Sequence, residues 1–243
     1  MPKTLILLMA IMLGYTISAR AETFTAVSDP WPPFVDSSPT QGLLTQIARE
    51  ALATEGHKLI VELVPWSRAV EMVKHRQRDF LIGIWYTEER DQYLLYSEPL
   101  YFNELVFASN NKQTFEYQNL SSLEGKTIGI IPSYTYSPEF LNADYFERIK
   151  AKDLPVNLRN VANGRLDLTI DDKSVIRYLL DKKLPDIAPD IRIGDKPLIS
   201  KGLHIAASRR NKEHAKIIAL INAGLKKLKA SGRYQEIIDD HHN

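Results

Sequence analysis

The stretch Phe80-Leu81-Ile82-Gly83-Ile84-Trp85-Tyr86-Thr87-Glu88-Glu89-Arg90, continued by Tyr96-Ser97-Glu98-Pro99, decides the fold. Phe80–Ile84 is apolar without alternation, the pattern of a strand buried on both faces of a parallel sheet. Polar residues follow at once, so this strand ends by delivering aromatics and a guanidinium. Working backwards, Ser67–Arg76 reads as a helix and Leu59–Val64 as a strand. Before them a helix opens at Gly42-Leu43-Leu44, runs to about Glu55 with Leu44, Ile47, Ala48 and Leu52 on one face, and is stopped by Gly56. Thr23–Ser28 alternates and is β-prone, and the turn Pro30–Pro33 ends it. The order β-α-β-α-β argues for a parallel sheet with helices on its faces.

Downstream the pattern restarts. Asn110–Ser122 is polar and loop-like, Lys126–Ile131 is a strand, and Ser133-Tyr134-Thr135-Tyr136-Ser137-Pro138 opens a helix. Val156–Asn160 reads as another strand and Asn163-Gly164-Arg165 as a turn. Leu166–Ile170 is a strand closed by Asp171-Asp172, and Lys173–Asp181 is a helix. The stretch Leu184–Lys201 is rich in Pro and charge. Leu203–Ser208 is an apolar strand, and His214–Ala230 a long helix with Ile217, Ile218, Ile221, Leu225 and Leu228 on one stripe. Gly232 breaks it and a short tail helix follows. There is no sequence repeat, only two similar α/β halves.

The first residues read as a secretory signal. Lys3 supplies the positive start, Leu5–Leu13 is apolar but far short of the about 20 residues that span a bilayer, and Ala19-Arg20-Ala21 fits a small-x-small cleavage site. Removing residues 1–21 leaves 29 basic and 30 acidic residues, a net charge of −1. That balance argues against nucleic acid as a partner. With no cysteine there is no disulfide, and no lipid-modified cysteine at the new N-terminus. The expectation is a free-floating, monomeric periplasmic protein. The remaining 222 residues suit one large domain or two lobes.

A catalytic scan is nearly empty: no Gly-x-Ser-x-Gly, His-Glu-x-x-His, phosphate loop or Gly-x-Gly-x-x-Gly. The histidines are scattered, and no metal or cofactor is implied. What stands out is an aromatic, a guanidinium and carboxylates on separate strand ends: Trp31 in Asp29-Pro30-Trp31-Pro32-Pro33-Phe34, Arg90, and Asp171-Asp172. Such a set suits a small zwitterion. The guanidinium forks onto a carboxylate, an acid takes the ammonium, and an aromatic face covers the rest. Read alone, each residue has a plainer role. Arg90 could pair with Glu88 or Glu89, Asp172 could cap the helix from Lys173, and Trp31 could pack a turn.

The ordered motifs carry a resemblance. The Pro-Pro-Phe turn, the glycine before the first helix, Thr-x-x-Arg then Ser-x-Pro, Leu-x-Gly-Lys-x-Ile-Gly, Gly-Arg-x-Asp and the final Leu-x-x-Leu-x-x-x-Gly-x-Tyr segment succeed one another. The chain resembles the family-3 bacterial extracellular solute-binding proteins, periplasmic receptors for polar amino acids in ABC importers. The resemblance implies two α/β lobes, residues 22–107 plus 204–243 and residues 108–203. They would be joined by crossovers near Leu105–Ser109 and His204–Ser208, with the ligand in the interlobe cleft and hinge closure around it. It implies a membrane permease or a sensor as partner. It also implies that Arg90 grips the ligand carboxylate, that Asp172 receives the ammonium and that Trp31 stacks on the side chain. Thr135, with Ser133, would lie at the second lobe's strand-to-helix turn, where hydroxyls and helix N–H groups favour an anion.

The departures from the family pattern are aromatic. Trp85 replaces a small hydroxyl residue, and Tyr86, Tyr101 and Tyr134 add bulk, which favours a flat or cationic ligand side chain. Trp66 and Arg68 are further candidates, although they also suit a packed helix start. The alternative activity is an enzyme of the same fold, using Glu98, Glu104 or Asp172 for elimination on a cyclic acid.

Overall fold

The computed structural model describes residues 21–132, 134 and 136–242. The expected leader lies outside them, as do Ser133 and Thr135. The first half runs β1 (Thr23–Ser28), α1 (Leu43–Thr54), β2 (Lys58–Leu63), α2 (Trp66–Lys74) and β3 (Phe80–Trp85). A short α3 (Glu88–Asp91) and β4 (Leu94–Tyr96) lead into the long β5 (Tyr101–Asn110). The second half contains β6 (Thr127–Ile130), α4 (Pro138–Asn142), β7 (Glu147–Lys150), α5 (Leu154–Ala162), β8 (Leu168–Asp172) and α6 (Lys173–Lys182). Then come β9 (Ile191–Ile193), the long β10 (Ile199–Ser208), α7 (His214–Ser231) and α8 (Arg233–His242).

Strand order is β2-β1-β3-β10-β5-β8-β6-β7, with β4 added on β10 and β9 on β5. The outer three strands of each half are parallel. β5 and β10 run antiparallel to them and to each other, and join the halves. They pair over Tyr101–Leu105 and Ile199–Leu203. The joining segments therefore lie a few residues N-terminal to the positions expected from sequence. The apolar runs that follow pair with β8 and β3 and belong to the packed halves. The link itself, Tyr-Phe-Asn-Glu against Ile-Ser-Lys-Gly, is more polar.

The largest apolar cluster lies between the sheet and α1 and α7 in the first half, and α5 and α6 in the second. A smaller one fills the space under α2, around Val27, Met72, Leu81 and Ile84. A third gathers Phe107, Phe140 and Phe146 on the other face of the second half. Burying each such side chain is worth about 1.5–3 kcal/mol. Gly42 opens α1 at φ 106, and a side chain there would strike the Phe34 carbonyl, so the turn carrying Trp31 can fold onto α1 only with glycine.

Val156–Asn160, expected as a strand, is part of α5. Asp153 caps that helix by accepting from the Val156 N–H at 3.1 Å, Pro155 occupies the first turn, and Leu154, Leu158 and Val161 form its buried stripe. The strand of this region is β7, whose charged Glu-Arg-Ile-Lys sequence gives no apolar signal.

One device recurs in both halves. The Thr25 N–H and hydroxyl donate to Asp79 Oδ2 at 2.7 and 2.8 Å, and the Thr127 N–H and hydroxyl donate to Asp167 Oδ2, both at 2.8 Å. Each aspartate stands just before a strand and follows a left-handed residue, Arg76 at φ 61 or Gly164 at φ 69. Arg76-Gln77-Arg78-Asp79 thus repeats Gly164-Arg165-Leu166-Asp167 in structure, and this motif clamps neighbouring strands.

Candidate functional site

In open α/β sheets the carboxyl ends of parallel strands form the natural crevice, and every strand-end candidate from the sequence lies at such an end. Asp29 and Trp31 follow β1, Trp85 ends β3 with Arg90 in α3 behind it, Tyr134 follows β6, and Asp171 and Asp172 end β8. The halves meet there: burial raises the Tyr134 pKa, and the charges of Asp171, Asp172 and, from the first half, Asp29 raise it further.

Asp172 does two things at once. It caps α6, its Oδ1 accepting from the Ser174 and Val175 N–H groups at 2.8 and 3.0 Å. Its Oδ2 is buried without a hydrogen-bond partner. Burial pushes its pKa up to about 6, against the pull of those helix N–H groups, of the nearby Glu104 backbone N–H and of the Asn103 side chain. Asn103 is 1% exposed, and its Nδ2 also lacks a partner, so it favours the charged carboxylate without closing a bond to it. Beside it, Asp171 accepts from the Asp172 N–H at 2.8 Å, leaves Oδ2 unpartnered, and is pushed by burial to about 8. Asp29 is half-buried and is likewise raised by burial. Buried polar atoms are nearly always satisfied, so two open carboxylate oxygens and an open amide at one strand end mark a place built for another polar group.

Arg90 is held in α3, just past the end of β3. The Thr87 hydroxyl caps α3 by accepting from the Arg90 N–H at 3.2 Å, and Arg90 Nη1 donates to the Trp85 carbonyl at 3.4 Å. Among the described residues its guanidinium has no ion-pair partner, so neither Glu88 nor Glu89 neutralises it. The hydroxyl of Tyr96, raised by burial to about 12, feels the Arg90 charge.

The aromatics divide. Trp31 is half-buried in its turn, hydrogen-bonded from its N–H to the Val35 carbonyl at 2.7 Å, with its ring 4.7 Å from that of Phe34. It borders Gly83, whose φ of 82 and missing side chain leave room between Trp31 and Leu44. Trp85 is tied to both joining strands: its indole N–H donates to Asn103 Oδ1 on β5 at 2.9 Å, and Lys201 of β10 lies 4.8 Å from the ring centre. Tyr86 is exposed, with its ring 5.3 Å from Tyr96. Trp66 packs against the small core under α2, and Arg68 is exposed. Sequence reasoning passed over Asp29 and Asn103 as site residues. The first stands two residues before Trp31, and the second lies in the polar start of β5.

Two α/β units joined by paired antiparallel strands, with polar groups converging at the strand ends between them, define a two-lobe protein of the type II periplasmic-binding class. Residues 24–243 match the Bacterial extracellular solute-binding proteins, family 3, and the chain belongs to that family. It is similar to the arginine-binding periplasmic protein of Mannheimia haemolytica, 25% identical over 96% of each chain. It is also similar to ABC transporter arginine-binding protein 1 of Escherichia coli (strain K12), 26% identical over 96% of this chain and 97% of that one. Substrate-binding domain 2 of Lactococcus lactis GlnP, solved in an open conformation, superposes with a TM-score of 0.73 at 24% identity, over 90% of this chain and 94% of that domain, which speaks to the fold.

Proposed function

We propose that this protein is an exported receptor that encloses a free amino acid with a cationic side chain, arginine or a close analogue, and presents it to an ABC permease. The observation that carries this reading is the charge layout. Three acids, Asp29, Asp171 and Asp172, gather beside aromatic faces, with two buried carboxylate oxygens open. The guanidinium of Arg90 has no ion-pair partner among the described residues and follows a different strand end, that of β3. The ligand carboxylate goes to Arg90, its ammonium to Asp172 Oδ2, and its cationic end to the acids and to the face of Trp31. Two relatives whose names specify arginine support the same assignment.

In this reading residues 1–21 are removed on export to the periplasm. Residues 22–107 with 204–243 form one lobe and residues 108–203 the other. The lobes close about the β5–β10 link as a monomer and without catalysis. Ser133 and Thr135 would add hydroxyls from the second lobe. A thermal-shift screen of arginine, lysine, ornithine, glutamine, glutamate and small carboxylates tests it. Arginine at about 100 times its dissociation constant adds about 2.7 kcal/mol. Stabilisation by glutamate and not by arginine would reverse the charge assignment, and turnover of a cyclohexadienyl acid would make the cleft an enzyme.

A further inference from the structure

β8 stops at Asp172, opposite Leu105, so on that side β5 has no strand partner over Tyr101–Glu104. α6 turns away there and leaves a pocket of about 170 Å³, lined by Tyr101 and Glu104 of β5 and by Lys173, Ser174 and Arg177 of α6. None of these residues is Arg90 or one of the acids Asp29, Asp171 and Asp172, although the Ser174 N–H donates to Asp172 Oδ1. The Tyr101 and Ser174 hydroxyls meet at 3.4 Å across the pocket. Lys173 reaches Asp195 at 3.1 Å, a partner that is itself exposed. Among the described residues neither Glu104 nor Arg177 has an ion-pair partner, yet both lie within electrostatic reach of the Tyr101 hydroxyl. An unpaired carboxylate on one wall and an unpaired guanidinium on the other, kept apart by a cavity, fit a molecule with an anionic end and a donor.

We propose that this pocket is a second ligand site, separate from the interlobe cleft, for a small carboxylate bearing a hydroxyl or ammonium on its α-carbon. The carboxylate forks onto Arg177 with Lys173 and the Ser174 hydroxyl beside it, and the α-donor reaches Glu104. At roughly 30 Å³ per water, the space is that of about five or six waters, room enough for a molecule the size of lactate. One wall is a joining strand and the other a helix of the second half, so an occupant bridges the link on which closure turns.

The test uses L-lactate as probe and amide and arginine-side-chain NMR of the purified protein. Lactate should shift Tyr101, Glu104, Ser174 and the Arg177 Nε–H in the wild type and equally in Arg90→Ala. Its affinity should fall at least tenfold in Arg177→Gln and in Glu104→Gln, while Arg177→Gln keeps wild-type arginine binding by calorimetry. Shifts centred on Asp29 and Trp31 that vanish in Arg90→Ala and persist in Arg177→Gln would place the probe in the cleft and overturn the proposal. So would the absence of shifts at tens of millimolar lactate. Loss of arginine binding in the wild type would count against the cleft reading alone.

Discussion

Asp172→Asn separates the two roles of one side chain. Asparagine caps a helix as well as aspartate does, so the start of α6 survives the change. The charge and the open acceptor on Oδ2 do not. Burial lifts the Asp172 pKa from 3.8 to about 6, and one unit corresponds to about 1.36 kcal/mol. Holding this carboxylate charged therefore costs the unliganded fold about 3 kcal/mol. Because the folded pKa lies above the unfolded one, the folded state holds the extra proton between about pH 4 and pH 6. Stability falls as pH rises through that window, and the penalty is absent below it and complete above it. Urea unfolding followed by tryptophan fluorescence should find the variant more stable than wild type by up to about 3 kcal/mol at pH 8 and no more stable near pH 4. Calorimetry should find arginine binding weakened by about 2–5 kcal/mol, because a buried charge pair has lost one member. A variant less stable than wild type at pH 8, or one that binds arginine unimpaired, would refute the reasoning.

Three further outcomes follow from the same structure. Arg90→Ala should keep its circular dichroism and thermal midpoint and lose carboxylate-ligand binding by about 2–5 kcal/mol; full affinity in a folded variant removes Arg90 from the site. Arg76→Gly should raise stability by about 0.5–1 kcal/mol, since Arg76 holds at φ 61 the left-handed conformation that glycine takes at position 164, and a lowered urea midpoint would count against that strain. Small-angle scattering should show a smaller radius of gyration at saturating arginine, whereas unchanged curves at proven saturation count against closure about the β5–β10 link.

The alternation of strands and helices in the first half was legible because fully buried strands leave unbroken apolar runs, Phe80–Ile84 above all. Val156–Asn160 was misread because five residues with one β-branched end carry too little periodicity to tell a strand from a helix. The deciding signals were Asp153 and Pro155 just upstream. The joining segments were placed late because their polar Tyr-Phe-Asn-Glu and Ile-Ser-Lys-Gly sequences look less like strands than the apolar runs beside them. Asp172 was legible as both cap and ligand candidate, and the structure assigns the cap to one oxygen while leaving the other open. The anchoring of Trp85 to Asn103 and Lys201 had no sequence signal, since it depends on β3, β5 and β10 lying side by side across long chain separations.

The most direct measurement is a crystal structure of the protein grown with L-arginine. One arginine is expected between the lobes, its carboxylate on the Arg90 guanidinium, its ammonium within hydrogen-bond distance of Asp172 Oδ2, and its side chain against Trp31 and Asp29. Arginine bound with its carboxylate away from Arg90, or a closed cleft that holds no arginine under saturating conditions, would contradict it.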